Sequence, residues 1–131
     1  FQVRIKRIVD AGKKINPQVL YFLHSCGKVE DMIPYFLEEG IDILNPVQPE
    51  CNDLEKIAHL YGDKISFWGG IGTQTTMPFG TPEDVRTKVH QVQKILGING
   101  GLLIAPSHIL EPEVPWENIT AFIEIAKKSY Y

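Results

Sequence analysis

The sequence is poor in the features that mark several large classes of protein. Its 131 residues include only two cysteines, which is too few for a disulfide scaffold and typical of a reducing cytoplasm. The 13 Lys and Arg are outnumbered by 16 Asp and Glu, so the chain lacks the basic excess of a nucleic-acid binder. No apolar run approaches the ~18 residues that a membrane span needs, and no stretch has the pattern of a signal peptide. We therefore expect a cytoplasmic protein that binds neither nucleic acid nor a membrane.

The composition that remains is that of an ordinary globular protein. The chain is 44% hydrophobic and 22% charged, and its length suits one domain spanning residues 1–131. It begins at Phe1 rather than at Met, inside a stretch with helical spacing. We therefore expect this domain to be part of a longer protein.

The spacing of apolar residues alternates along the chain between two patterns. Short β-rich runs are followed by stretches of helical spacing, which is the pattern of βα units around a parallel sheet. Helices are predicted at residues 1–14, 29–39, 52–62, 81–96 and from 115, strands at 19–23, 42–45, 64–68 and 102–105, and a long loop at 69–80. Asn52 and Thr81 are the predicted N-caps of the third and fourth helices, and Glu55 would complete a capping box with Asn52.

This order of elements corresponds to about half of an eight-stranded (β/α)8 barrel, and a small open doubly wound sheet is the alternative. Both architectures place functional groups in the loops that follow the carboxyl ends of the strands. Those loops are residues 24–28, 45–52, 69–80 and 106–115, and they hold both cysteines together with His24 and His108, whereas His59 and His90 lie within helices as solvated histidines. This segregation predicts a site at one edge of the sheet.

His24 and Cys26 are the loop residues best suited to a metal. Positions i and i+2 of an extended segment point to the same side, so an imidazole and a thiolate there could share one zinc ion. An open catalytic zinc site needs a third protein ligand, for which His108 is the best candidate and Cys51 the next. The alternative is a partly buried cysteine beside a hydrogen-bonded histidine, because so short a pattern arises easily by chance.

A glycine-rich run follows the third strand. Gly69, Gly70 and Gly72 resemble a phosphate-cradling turn, although their spacing does not fit the six-residue dinucleotide fingerprint. A turn that needs positive φ or a close backbone approach is the other explanation. We name Gly70 and the nearby Gln74 as candidate substrate contacts.

Five stretches, spread over nearly the whole chain, resemble the uroporphyrinogen decarboxylase superfamily. They are Asp-Ile-Leu-Asn-Pro-Val-Gln-Pro at 42–49, Phe-Trp-Gly-Gly-Ile at 67–71, Pro-Phe-Gly-Thr-Pro-Glu-Asp-Val at 78–85, Leu-Ile-Ala-Pro-Ser-His at 103–108 and Pro-Glu-Val-Pro-Trp-Glu-Asn-Ile at 112–119. The resemblance implies a (β/α)8 barrel of which this chain is the C-terminal half. It also implies that Asn45, Gln48 and Glu50 line the mouth of the barrel and hold a small-molecule substrate, with a solvated loop carboxylate as the alternative for Glu50.

The superfamily that these stretches resemble includes two chemistries. Its methyltransferases use a zinc site, built from a His-x-Cys pair and a later Cys, to activate an acceptor toward a methyl-corrinoid, which a corrinoid protein can present. His24 and Cys26 match the first two positions, and His108 stands where that branch has the later Cys. Its decarboxylases act on a porphyrinogen without a metal and also have a His at the position of His108.

The resemblance therefore implies a zinc-dependent methyltransferase that takes the methyl group from a methyl-corrinoid. A uroporphyrinogen decarboxylase of tetrapyrrole biosynthesis is the alternative, and an inactive fragment that serves only in folding or assembly is the third possibility. A half barrel also exposes two strand edges and an apolar inner face, so we expect the chain on its own to self-associate.

Overall fold

A computed structural model describes residues 2–128 as a sheet of four strands with helices between them. The elements are α1 (Gln2–Ile15), β1 (Phe22–His24), α2 (Ile33–Glu39), β2 (Ile43–Asn45), α3 (Leu54–Tyr61), β3 (Ser66–Ile71), α4 (Thr76–Phe79), α5 (Pro82–Leu96), β4 (Leu102–Pro106) and α6 (Trp116–Ala126). Phe1, at which the first helix was predicted to begin, lies outside the described residues. No helix in the described range is both long and apolar enough to cross a membrane.

All four strands are parallel, and they lie side by side in the order of the sequence, β1-β2-β3-β4. A doubly wound sheet would insert a strand between sequence neighbours, and this sheet does not. The sequential order is that of an arc of a (β/α)8 barrel, which confirms the predicted fold class of four parallel strands alternating with helices.

The two faces of the sheet differ in their exposure. Leu44 and Phe67 are neighbours across β2 and β3 on the buried face, where they are 0% and 1% exposed. On the opposite face, Phe22, Trp68 and Leu103 are exposed, and the rings of Phe22 and Trp68 lie 5.0 Å apart. The helices thus cover one face, and the uncovered face is the one that points to the interior of a closed barrel.

Helix α5 is the main helical contribution to the core. It packs against β3 and β4 on one side and against α3 and α6 at its flanks. Its apolar stripe is completely buried and consists of Val85, Val89, Val92 and Leu96. The predicted cap at Thr81 is confirmed, because its hydroxyl accepts from the Asp84 amide while the Asp84 carboxylate accepts from the Thr81 amide.

The predicted cap of α3 is wrong by one residue. Asp53, not Asn52, occupies the N-cap, and its carboxylate accepts a hydrogen bond from the Lys56 amide. Asn52 is instead buried, with its side-chain oxygen accepting from the Val29 amide at 2.9 Å. Both residue types favour N-caps, so the sequence could not separate them, and the capping box with Glu55 does not form.

Most predicted boundaries move by one or two residues, as at β3, which begins at Ser66 rather than at 64, and those of α2, β1 and the end of β3 move further. A 3₁₀ turn at Glu30–Met32 precedes α2, which places Pro34 in the first turn of the helix, where its ring is tolerated. β1 begins at Phe22 rather than at residue 19. β3 continues through the two glycines to Ile71, and the remainder of the predicted loop includes the short helix α4.

Gly69 explains why β3 can extend. Its φ of +131° is unfavourable for other residues, and a Cβ at this position would lie 2.1 Å from the carbonyl oxygen of Pro46. The loop after β2 therefore rests directly on the backbone of β3, and the Gly70 amide donates to the same Pro46 carbonyl at 3.0 Å. This contact brings the ends of β2 and β3 together at the edge where the site lies.

Candidate functional site

A cleft of about 420 Å³ opens at the carboxyl edge of the sheet. It lies where the loops after β1, β2, β3 and β4 meet. Its lining residues are Cys26, Gln48, Thr73, Gln74, His108, Ile109, Glu111 and Glu113. The cleft thus contains residues from each of the four loops in which the sequence predicted the functional groups.

His24 and Cys26 form a close pair at the rim of this cleft. His24 is the last residue of β1, and its Nε2 lies 3.1 Å from the Sγ of Cys26. Both side chains are exposed. The i, i+2 prediction that they share one side of the chain is therefore met by the geometry.

The other ring nitrogen of His24, Nδ1, is hydrogen-bonded to Asn45. This asparagine is the register partner of His24 in β2, and its Oδ1 lies 2.5 Å from His24 Nδ1. Its Nδ2 donates to the backbone carbonyl of Trp68 in β3 at 2.7 Å. The asparagine side chain thus bridges β1 and β3 and fixes the plane of the imidazole.

The loop that carries Cys26 is held by two buried amides of the β2 loop. Gln48 Oε1 accepts from the Gly27 amide at 2.7 Å, and Asn52 Nδ2 donates to the Gly27 carbonyl at 2.9 Å. Gln48 also reaches the cleft. The backbone N–H and C=O of Gly27 are therefore both hydrogen-bonded, which fixes the backbone next to the Cys26 side chain.

Glu50 joins the β2 loop to the β3 loop rather than projecting freely into solvent. Its Oε1 accepts from the Gln74 amide at 3.1 Å and from the Thr75 hydroxyl at 3.3 Å. Its Oε2 is buried and has no hydrogen-bond partner among the described residues. Buried carboxylate oxygens are normally hydrogen-bonded, so this unpartnered atom is an exception within the link between the two loops.

Of the predicted substrate contacts, Gln48 and Gln74 line the cleft, whereas Asn45, Glu50 and Gly70 are not among its lining residues. Gly70 is the farthest from the predicted role. Its amide already donates to the Pro46 carbonyl, and it is buried beneath α5. A Cβ there would lie 2.8 Å from a methyl group of Val92. In this structure the residue serves close packing between β3 and α5, which is the second explanation given for the glycine run.

Two of the three predicted zinc ligands fit a shared metal. Zinc–nitrogen and zinc–sulfur bonds of ~2.0–2.1 and ~2.3 Å at a tetrahedral angle place the two donor atoms about 3.6 Å apart. The 3.1 Å separation of His24 and Cys26 is close to that edge. Among residues 2–128, however, no group of three His, Cys, Asp or Glu side chains is arranged to hold a metal ion. His108 shares the cleft with Cys26 without completing such a set.

Cys51, the other candidate third ligand, is in a less favourable environment. Burial raises the pKa of its thiol, and the nearby Glu50 carboxylate and Cys26 raise it further. Its Sγ lies 3.8 Å from the Gln48 carbonyl oxygen. A thiol that resists ionisation is a poor metal ligand, because the thiolate is the binding form.

Sequence reasoning did not single out Glu111 and Glu113, which line the cleft beside His108. They belong to the loop after β4, which was recognised as functional, but isolated carboxylates in a proline-containing loop resemble ordinary solvated residues. The role of Asn52 in holding the Cys26 loop was also missed. Its position before a helix indicated a cap, and only the tertiary structure shows the contact with Gly27.

Comparisons with known proteins give one family match and two similar methyltransferases. The profile of the family described as Uroporphyrinogen decarboxylase (URO-D) matches residues 2–129. A curated relative, Methylated-thiol--coenzyme M methyltransferase of Methanosarcina mazei, is 25% identical over 124 residues, which cover 90% of this chain and 30% of the relative. A solved methyltransferase from Methanosarcina mazei superposes with a TM-score of 0.72 at 18% identity, covering 96% of this chain and 34% of that structure. The chain spans about a third of the length of either protein.

Proposed function

Because the chain belongs to the uroporphyrinogen decarboxylase family, we propose that it contributes the zinc-binding edge of a methyltransferase that moves a methyl group from a methyl-corrinoid to an acceptor. The observation that carries this proposal is the His24–Cys26 pair, whose donor atoms lie 3.1 Å apart at an exposed edge of the cleft. A metal-free decarboxylase has no need of a thiol at this position, whereas a zinc site does.

The donor set and its surroundings support zinc rather than a harder cation. One imidazole and one thiol are ligands that zinc accepts, while Mg²⁺ and Ca²⁺ take oxygen ligands. His24 and Cys26 would hold the ion, with His108 as the proposed third ligand. A bound zinc ion supplies Lewis acidity, which lowers the pKa of the acceptor and makes it a nucleophile toward the methyl group.

The other side chains of the cleft would bind and orient the acceptor. Gln48 and Gln74 line the cleft, and Glu50 would support them from behind, because its carboxylate accepts from the Gln74 amide. The curated relative is named for a methylated thiol and coenzyme M, which supports a sulfur acceptor among the possible small molecules. The methyl-corrinoid would reach the cleft as a co-substrate, presented by a corrinoid protein.

The proposed site requires that Cys26 stay reduced, since a disulfide has no thiolate to offer a metal. Both cysteines are free thiols in the structure. We therefore propose that the protein works in a reducing compartment, as the cytoplasm is.

The decarboxylase alternative keeps one supporting observation. His108 is exposed in the cleft without completing a metal site, as a substrate-binding histidine would be. In that case Cys26 and His24 would form only a hydrogen-bonded pair, and the substrate would be a porphyrinogen.

Elemental analysis of the full natural polypeptide, purified without added metal, separates the two functions. We expect stoichiometric zinc in the unmodified protein and in Cys51→Ala, and its loss in Cys26→Ala and His24→Gln. Cys51→Ala is the matched control, because it removes a thiol of the same region without touching the proposed ligands.

The proposal is overturned by a wild-type protein that holds no zinc, takes none up and shows no change of activity when zinc is added. Decarboxylation of a porphyrinogen should then be assayed, with His108→Ala as the variant. A polypeptide with neither zinc nor either activity would indicate that the chain serves folding or assembly only.

A further inference from the structure

The hydrogen bonds around His24 have a direction that follows from the donors and acceptors involved. The Trp68 carbonyl oxygen can only accept, so the Asn45 group that faces it at 2.7 Å must be the NH₂. The Asn45 oxygen is therefore the atom that faces His24 Nδ1. An oxygen acceptor at this distance requires a proton on Nδ1.

A neutral imidazole carries one proton, so a protonated Nδ1 leaves a lone pair on Nε2. That lone pair points at Cys26, 3.1 Å away, and accepts the thiol hydrogen in the metal-free protein. The chain of bonds thus runs from Cys26 through His24 and Asn45 to the backbone of β3, with every donor and acceptor assigned.

We propose that Asn45 is a positioning residue that locks His24 in the Nδ1–H tautomer and so presents the Nε2 lone pair to the site shared with Cys26. This goes beyond the substrate-contact role predicted for Asn45. It deepens the proposed function, on which its consequence for zinc rests, because zinc binds the unprotonated ring nitrogen.

The surrounding backbone makes Asn45 rigid enough for this role. Asn45 is followed by Pro46, whose carbonyl receives the Gly70 amide, and Gly69 allows the close approach of the two strands. The Asn45 side chain therefore starts from a fixed backbone position on β2 and ends on a fixed carbonyl of β3. A residue held at both ends selects one orientation of its partner ring.

The tautomer can be measured directly in the full polypeptide, metal-free and labelled with ¹⁵N in its histidines. Long-range ¹H–¹⁵N spectra at about pH 8.5, two units above the ordinary imidazole pKa, distinguish a protonated Nδ1 from a protonated Nε2. His24→Gln assigns the signal. We expect the Nδ1–H form for His24 in the unmodified protein and in Asn45→Asp, which keeps an acceptor oxygen.

In Asn45→Ala we expect His24 to change to the Nε2–H form that an unconstrained histidine side chain favours, with unchanged signals for the exposed His59 as the internal control. Zinc affinity should fall ~10–100-fold in Asn45→Ala, as it does when such supporting groups are removed from other zinc sites. Asn45→Asp should recover most of that loss.

The proposal is wrong if His24 carries its proton on Nε2 in the unmodified protein, or if Asn45→Ala remains folded and keeps the Nδ1–H form. The far-ultraviolet circular dichroism of Asn45→Ala and its other histidine signals report whether it is folded. If Asn45→Ala does not fold, Asn45→Leu and Asn45→Asp decide the tautomer by the same comparison. A tautomer that behaves as expected in a protein that binds no zinc would remove the metal function and leave the role of Asn45 intact.

Discussion

Replacing Gly69 with alanine tests the contact on which the site is built. The new Cβ would lie 2.1 Å from the Pro46 carbonyl oxygen, and φ at this position is +131°. Real Cβ atoms essentially never come within 3.0 Å of such an atom, so the Pro46 loop would have to retreat by close to an ångström. That movement breaks the hydrogen bond from the Gly70 amide, which is buried beneath α5.

Two costs therefore combine in Gly69→Ala. Holding a non-glycine residue in a sparsely populated backbone region costs ~1–3 kcal/mol. Leaving a buried amide without its acceptor costs a further ~1–3 kcal/mol. The unfolded chain loses some freedom with alanine, which returns ~0.4–1 kcal/mol. We expect the free energy of unfolding to fall by about 1–6 kcal/mol, centred near 3 kcal/mol, which is a large part of the stability of a typical domain.

Urea denaturation followed by circular dichroism measures the change, and Gly100→Ala is its matched control. Gly100 also has a positive φ, of +75°, but a Cβ there meets nothing within 4 Å. It should therefore show only the backbone strain of ~1–2 kcal/mol. Equal destabilisation by the two variants would refute the reasoning, because the clash with Pro46 would then contribute nothing.

Three further predictions concern the rest of the chain. The buried side-chain amide of Asn118 donates to two carbonyls of the α4 region at 2.9 and 2.7 Å. Asn118→Leu should therefore lower the free energy of unfolding by about 2–4 kcal/mol, whereas Asn99→Leu, at an exposed position, should not. A neighbouring backbone amide and a lysine ammonium lower the pKa of the Glu30 carboxyl below its usual 4.5, so its stabilisation should be complete above about pH 4.5 and be lost as the pH falls through the lowered value. The urea midpoint of Glu30→Gln should accordingly depend less on pH in that acidic range, and an unchanged dependence would contradict the argument. The isolated chain should self-associate at micromolar concentration, as measured by sedimentation velocity. Trp68→Lys, on the uncovered face of the sheet, should reduce the association more than Trp116→Lys, and a monodisperse wild-type monomer would contradict the prediction.

The sequence predicted the layout of the fold because two simple signals agree in most of the chain. The apolar stripe of α5 and its N-cap Thr81 were sufficient to predict that helix. The alternation between strand-like and helix-like spacing of apolar residues predicted all four strands. The same signals failed where tertiary contacts decide. The glycines at 69 and 70 carry no apolar side chains to mark a strand, and only the contact with Pro46 and Val92 explains why β3 runs through them.

The candidate site was predictable to a similar degree. The spacing of His24 and Cys26 along one extended segment was sufficient to bring their donor atoms together. Asn45 was placed at the same edge, but its register with His24 and its bond to Trp68 depend on the pairing of strands far apart in sequence. His108 lies 82 residues after Cys26 in the sequence. Its distance from the His24–Cys26 pair therefore depends on the tertiary structure and could not be derived from local spacing.

Neighbouring strands of the sheet are paired over unequal lengths. The register between β3 and β4 extends over five residue pairs and that between β1 and β2 over three, whereas β2 and β3 are paired over only two. We call the line between β2 and β3, which has the shortest ladder, the seam. It is closed at the carboxyl edge by the hydrogen bond from the Gly70 amide to the Pro46 carbonyl and by the side chains of Asn45 and Glu50. Backbone amides beside so short a ladder exchange their hydrogens through local opening of the sheet.

The cleft lies across this seam. Cys26 and Gln48 stand on one side of it, and Gln74 and His108 on the other. A ligand that touches both sides must oppose the opening of the seam, by an amount that grows as RT ln(1 + [L]/Kd). Occupancy of the cleft should thus be visible as slowed hydrogen exchange along β2 and β3, far beyond the residues that the ligand contacts.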